Sequence, residues 1–215
     1  MHEAAKSVIQ REMITVNDIL TKDVRMAGLN LPGNGIRITI NANSNDLMEI
    51  YTNDSGYETM LSAVPGYSDS IMRVQNGTGM HSEHWICLNI PSTDTVYRQI
   101  KRVGMNASGA DTIFLYERLN LTLSSLTKLY PSKRVKYYIN PSPRGLVRST
   151  NGIAVPLGST IDTLEFIPKS LAGTVLGNMG KSAAVLSIFI GGRLKSGNSF
   201  SVISDSVEVN LRNRG

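Results

Sequence analysis

A mainly β, antiparallel β-sandwich with jelly-roll-like connections is the fold class predicted for this 215-residue chain, and three observations predict it. Serine and threonine total 38 residues and asparagine 17, so turn formers and β-compatible side chains are abundant. Short alternating segments recur along the chain between glycine, proline and asparagine breaks. These segments do not alternate regularly with helices, which disfavours a doubly wound α/β sheet; a barrel is the alternative within the β class. A chain of this length supports one sizeable core, so the expected organisation is an N-terminal helical arm and linker over 1–35 and a single sandwich domain over 36–215.

In chain order, Ala5, Val8, Ile9 and Met13 recur at helical spacing and predict a helix over the first twenty residues, with a second short turn starting at Asn17-Asp18. "GLNLPGNG" (28–35) ends that pattern. "IRITI" places Ile36, Ile38 and Ile40 on one face, and "LMEIY", "TMLSAV" and "IMRVQ" are weaker strands. Asn76-Gly77 reads as a hairpin turn with "SEHWICLNI" as its return strand. In "PSTDTVYRQIKRVG", Val96, Ile100 and Val103 are spaced by four and three, with a polar cap cluster at 92–94 and Gly104 just beyond, which predicts one internal helix of about three turns. "TIFLYERLNLTLSSL" alternates from Ile113 to Leu123 as one long strand or two joined at a bulge. "RVKYYI", a turn at "NPSPRG", then "LVRS", "IAVPL", "IDTLEFI", "AAVLSIFI" and "FSVISDSVEVNLR" complete the strands; a phase change between Val202 and Val207 predicts a bulge at "SDS".

A single cysteine excludes an intramolecular disulfide framework, and no apolar run approaches the roughly 18 residues of a membrane span. The expectation is a soluble protein made in a reducing compartment, without a secretory signal. Four glycosylation-type triplets, at Asn53, Asn76, Asn106 and Asn120, are what this composition produces by chance. Charge is uneven: residues 1–100 carry seven Lys/Arg and eleven Asp/Glu, whereas 101–215 carry fifteen and six. A basic half draws anionic partners, and the opposed halves favour self-association.

The segment "HSEHW" groups two of the three histidines. On a strand, His81, Glu83, Trp85 and Cys87 share one face and His84, Ile86, Leu88 and Ile90 the other, so the two imidazoles diverge unless 81–84 is a turn. His-x-Glu also opens the zinc deaminase signature, but the lone cysteine cannot supply its two thiolates. "GNMGKS" (177–182) has Val175 where a phosphate-binding loop needs glycine, and "GYSDS" around Ser68 lacks the second glycine of a nucleophile elbow. No residue pattern names a reaction, a metal or a cofactor, and the expectation is a protein that is not an enzyme.

The strongest binding signal runs from Lys128 to Arg148: Lys128, Lys133, Arg134, Lys136, Arg144 and Arg148 with no acid among them, and tyrosines interleaved. If 134–139 is a strand with Val135, Tyr137 and Ile139 inward, Arg134, Lys136 and Tyr138 form an outward stripe, with Arg144 in the loop beside it. Such a stripe neutralises phosphates with little sequence preference. Arg212 and Arg214 extend the basic character to the end of the chain. His81 and Trp85 are the expected subunit contact, because their strand face has no partner within the hairpin.

The layout of a short helical arm, the "GLNLPGNG" break, a run of short β segments around "STDTVYRQIKRVG", and a last strand near the C-terminus resembles the single jelly-roll coat protein of a small virus. That resemblance implies a self-assembling shell subunit in a virion, made in the host cytoplasm, with basic residues facing packaged nucleic acid, RNA in the first instance. Coats of this kind often carry an arginine-rich arm, whereas here the first twenty residues hold only Lys6 and Arg11 against three acids. The body's basic stripe would then make the genome contact. Competing expectations are a viral matrix-type β-sandwich presenting its basic surface to acidic membrane, a non-viral β-sandwich binding module, and an enzyme whose site the sequence hides.

Overall fold

The computed structural model describes residues 2–41, 45–91, 95–105, 110–177, 179, 182–196 and 199–211. The cap cluster at 92–94, Asn106, half of the "GNMGKS" loop, Arg212 and Arg214 lie outside the described residues. Helix α1 (His2–Met26) is followed by β1 (Ile36–Thr39), β2 (Leu47–Thr52), β3 (Thr59–Ala63), β4 (Ile71–Val74), β5 (Trp85–Asn89), β6 (Val96–Gly104) and β7 (Asp111–Leu115). The rest comprises β8 (Lys128–Pro141), β9 (Arg144–Thr150), β10 (Ile153–Gly158), β11 (Ile161–Lys169), β12 (Val185–Ser196) and β13 (Ser199–Asn210). The protein is therefore mainly β and antiparallel, with one helix among the described residues.

The chain groups into two compact units: Met1–Ala27 with Ile36–Ile50 and Val135–Arg214, and Gly28–Gly35 with Tyr51–Arg134. In the first, α1 is one continuous helix; Ile9, Met13, Val16, Leu20, Val24 and Ala27 recur at steps of three and four and are buried. Asn17, expected to cap a second turn, instead lies inside the helix, where its Nδ2 donates to Asp205 Oδ2 at 2.8 Å. The helix face joins a core shared with β1, β2, β9, β11, β12 and the second half of β8, through residues such as Ile36, Met48, Tyr137, Leu146, Phe166 and Ile188. Strands β11, β12 and β13 form one sheet, and β8, β9 and β10 pair in order in another. Asn151 (φ 47°) and Gly152 (φ 93°) close the β9–β10 hairpin, where a two-residue turn demands positive φ at both positions. The register of β12 with β13 runs without a shift from Ser199 to Asn210, so the bulge expected at "SDS" is absent: Val202 is simply exposed, while Ile203, Val207 and Val209 keep one phase.

The second unit is a closed ring of six antiparallel strands. β3 pairs β4, β4 pairs β7, β7 pairs β6, β6 pairs β5, β5 pairs the first half of β8, and β8 returns to β3 through Thr59–Leu129 and Met60–Lys128. Leu61, Met72, Val74, Ile86, Leu88, Ile100, Ile113, Leu115 and Leu129 fill the interior, as alternation in a small barrel requires. The glycine-rich break explains itself here. Gly28 N–H donates to the Tyr51 carbonyl at 3.0 Å and Tyr51 N–H to the Gly35 carbonyl at 2.7 Å. A Cβ on Gly35 would stand 2.2 Å from Gly28 N, so only glycine permits that crossing.

Four expectations are corrected in this unit. The expected internal helix is not present among the described residues; residues 96–104 are strand β6, with a register shift between Ile100 and Arg102. Val96, Arg98 and Ile100 point one way, and the extra residue Lys101 moves the next inward position from 102 to 103, which mimics helical spacing. Asn76-Gly77 does not join β4 to β5: those strands pair β3 and β7, and β6 and β8, respectively. Gly77 N–H instead donates to Asp111 Oδ2 at 2.7 Å. The long alternating run stops as a strand at Leu115, yet Leu119 and Leu123 still fill the barrel, with Leu119 N–H donating to the Asp69 carbonyl at 2.8 Å. Lastly, β5 starts at Trp85, and residues 81–84 form a turn.

Candidate nucleic-acid interface and the histidine turn

Strand β8 carries most of the basic segment, and its register separates residues the sequence grouped. Val135 and Tyr137 are buried, while Arg134, Lys136 and Tyr138 alternate with them and are half-buried. Arg134 belongs to the barrel unit, Lys136 and Tyr138 to the other. In the β8–β9 ladder Tyr137 faces Arg148 and Pro141 faces Arg144, whereas Lys136 faces Ser149 and Tyr138 faces Val147. Cross-strand partners share a face, so Arg144 and Arg148 lie opposite Lys136 and Tyr138. The basic segment is not one stripe.

Several of its cations are engaged within the fold. Arg148 Nε donates to Asp23 Oδ2 at 2.8 Å and to the Tyr137 hydroxyl at 3.2 Å, and Nη1 donates to Thr150 Oγ1 at 3.0 Å. Tyr137 in turn donates to Asp23 Oδ2 at 2.5 Å. Burial first, and then the Asp23 carboxylate, push the Tyr137 hydroxyl far above the ordinary phenol range. Arg144, placed by the structure at the start of β9 rather than in the loop, donates from Nη2 to the Asp162 carbonyl at 3.2 Å. Lys128 pairs with Glu58 at 3.0 Å and Lys133 with Asp54 at 3.8 Å, all four half-exposed. The hydrogen bond from Lys128 holds the Glu58 carboxyl below its usual range. Lys136 Nζ lies 5.0 Å from the Tyr138 ring centre.

A second basic surface, missed in the sequence because β6 was assigned to a helix, occupies the outer wall of the barrel. Ile71 of β4, Phe114 of β7 and Arg102 of β6 form one cross-strand row; Arg73, Thr112 and Gly104 form the next. Inward neighbours Met72, Val74, Ile113 and Leu115 are buried, so this row faces outward. The Arg102 guanidinium lies 4.0 Å from the Phe114 ring centre, a cation–π stack. Arg73, Lys101 and Arg102 are exposed. Among the described residues no carboxylate forms an ion pair with any of the three. The alternation of Arg73 with Met72 and Val74 was the one available signal.

The histidines converge rather than diverge. His84 N–H donates to the His81 carbonyl at 3.3 Å across the turn, Glu83 sits at φ 67°, and the two rings are 5.2 Å apart at an interplanar angle of 70°. Burial, then His81 and Lys133, hold the His84 imidazole below its usual pKa. Among the described residues no third His, Cys, Asp or Glu joins the pair. Trp85, expected as a subunit contact, already has neighbours in its own unit: Tyr51 edge-on at 5.7 Å and the Arg134 guanidinium at 4.1 Å over its ring. His81, the other expected contact, is exposed. Cys87 is buried, and that burial pushes its thiol up to about 12, which favours the protonated form. Among the described residues no helix is long and apolar enough to cross a membrane. Comparison with known protein families, curated proteins and solved structures finds no match for this chain.

Proposed function

We propose that the protein is a structural subunit of coat type, which self-associates and holds single-stranded nucleic acid, RNA in the first instance, on the outer wall of its barrel unit. The observation that carries this reading is the surface of Arg73, Arg102 and Phe114. A guanidinium laid on an aromatic ring makes a flat platform on which any base can stack, and the neighbouring Arg73 and Lys101 neutralise phosphates. Binding of this kind is nearly indifferent to sequence and falls steeply with salt.

Self-association is supported by the β9–β10 hairpin. Ile153 and Val155 are 75% and 51% exposed on an outer strand, and no charged residue occurs between Arg148 and Asp162 to oppose contact with another copy. A jelly-roll-like sandwich fits the connectivity in one respect: β5, β6 and β7 are consecutive neighbours and β4 returns beside β7, the Greek-key arrangement from which jelly rolls are built.

Fluorescence anisotropy with a short labelled single-stranded RNA tests the interface. The double variant Arg73→Glu, Arg102→Glu is expected to bind at least about tenfold more weakly at low salt, with an unchanged circular dichroism spectrum. Equal affinity of variant and parent would remove this surface from consideration. Negative-stain images with and without RNA test assembly; monodisperse monomers under every condition would sink the coat reading.

A further inference from the structure

The turn His81-Ser82-Glu83-His84 takes no part in the arginine surface, and it sets two imidazole rings edge to face. We propose that His81 and His84 form a two-imidazole site for a divalent transition ion of borderline softness, zinc or copper(II), with the remaining coordination positions open to water or to an incoming ligand. An ion bound tetrahedrally at about 2.1 Å from one nitrogen of each ring sets the two ring centres roughly 5 Å apart. The observed separation is 5.2 Å.

The backbone holds the two histidines side by side without help from an ion. The turn closes through His84 N–H to the His81 carbonyl at 3.3 Å, and β6 clamps it from outside: Glu83 N–H donates to the Ile100 carbonyl and Ile100 N–H to the His84 carbonyl, both at 2.8 Å. Glu83 occupies the third turn position with φ 67°, where glycine is usual. Its carboxylate accepts from the Tyr116 hydroxyl and from Gln99 Nε2, which fixes the side chain away from the ligand role. Pre-organisation of this kind lowers the entropic cost of closing a chelate. Two neutral imidazoles select copper and zinc over magnesium and calcium, which require oxygen donors. With two protein ligands the coordination sphere is incomplete, so the site recruits a further donor rather than burying a structural ion.

The test exploits the only tryptophan, which directly follows His84. Copper(II) titrated into the full chain is expected to quench Trp85 fluorescence with saturation at one ion per chain, and zinc should compete for the same site. His81→Asn and His84→Asn should each weaken the titration by at least about tenfold, and magnesium should give no response. His81 is exposed, so its substitution keeps the fold and suffices alone if the His84 variant proves unstable. Saturable quenching that survives in the double variant would place the ion elsewhere and overturn the proposal. Absence of saturable quenching in the parent chain would overturn it equally.

Discussion

Arg148 is a cation that the fold consumes. Its guanidinium is held by Asp23, Tyr137 and Thr150 at a site where the Arg148 and Asp23 side chains are 28% and 18% exposed. Replacing it with methionine leaves the Asp23 carboxylate without its counter-charge, with the Tyr137 hydroxyl still donating to it. The expected loss is about 2 kcal/mol, between the cost of breaking a surface pair and a fully buried one. Urea denaturation of Arg148→Met measures it, and Asp23→Asn in the same chain should recover part of the loss by removing the stranded charge. A stability equal to the parent would mean the pair is a surface contact. Nothing in the run from Lys128 to Arg148 distinguishes this residue from Lys136, because the partners that decide its fate, Asp23 above all, are remote in sequence. Basic composition was legible; which cations remain available was not.

At the scale of single elements, the period-two signal was reliable where a strand is regular and misleading where one extra residue intervenes. The segments at 36–39, 47–50 and 164–169 follow their alternating side chains. β6 does not, because Lys101 is inserted between two inward positions. Deleting Lys101 is therefore predicted to remove the bulge and leave Arg102 facing out and Val103 facing in, since 100, 102, 103 and 104 then alternate regularly. That change should cost about 1 kcal/mol, the range of an ordinary surface change. Thermal unfolding of the deletion variant, set beside Lys101→Ala, which keeps the bulge, tests this; melting temperatures within a few degrees are expected, and a deletion variant that no longer folds would contradict the assignment. The same insertion hid the arginine surface, since a residue assigned to a helix cannot be matched to its cross-strand neighbours. The histidine turn was hidden by a different cause: a glutamate at positive φ gives no local sign of a turn, because its position is secured by Ile100 from another strand.

For the whole molecule, the antiparallel β class was legible from composition and alternation, whereas the division into two units was not, because the chain passes between them at Ile50 within β2 and at Arg134 within β8, where the sequence shows no break. Self-association is the property to test at this scale. Ile153→Lys with Val155→Lys places two like charges on the outer strand of the β9–β10 hairpin, and sedimentation velocity should then show a shift toward monomer at concentrations where the parent associates. An unchanged distribution would move the contact elsewhere. The stacking around Trp85 has a genealogical consequence. Tyr51 and Arg134 are the first and last residues of the long segment that carries the barrel, and both meet the same indole, one edge-on and the other over its face. A module whose two ends are pinned together can be spliced into a host chain between adjacent residues, or lifted out, without unravelling. The six barrel strands, all drawn from Tyr51–Arg134, thus have the anatomy of a cassette with Trp85 as its clasp, to which Gly28–Gly35 is joined from an earlier part of the chain.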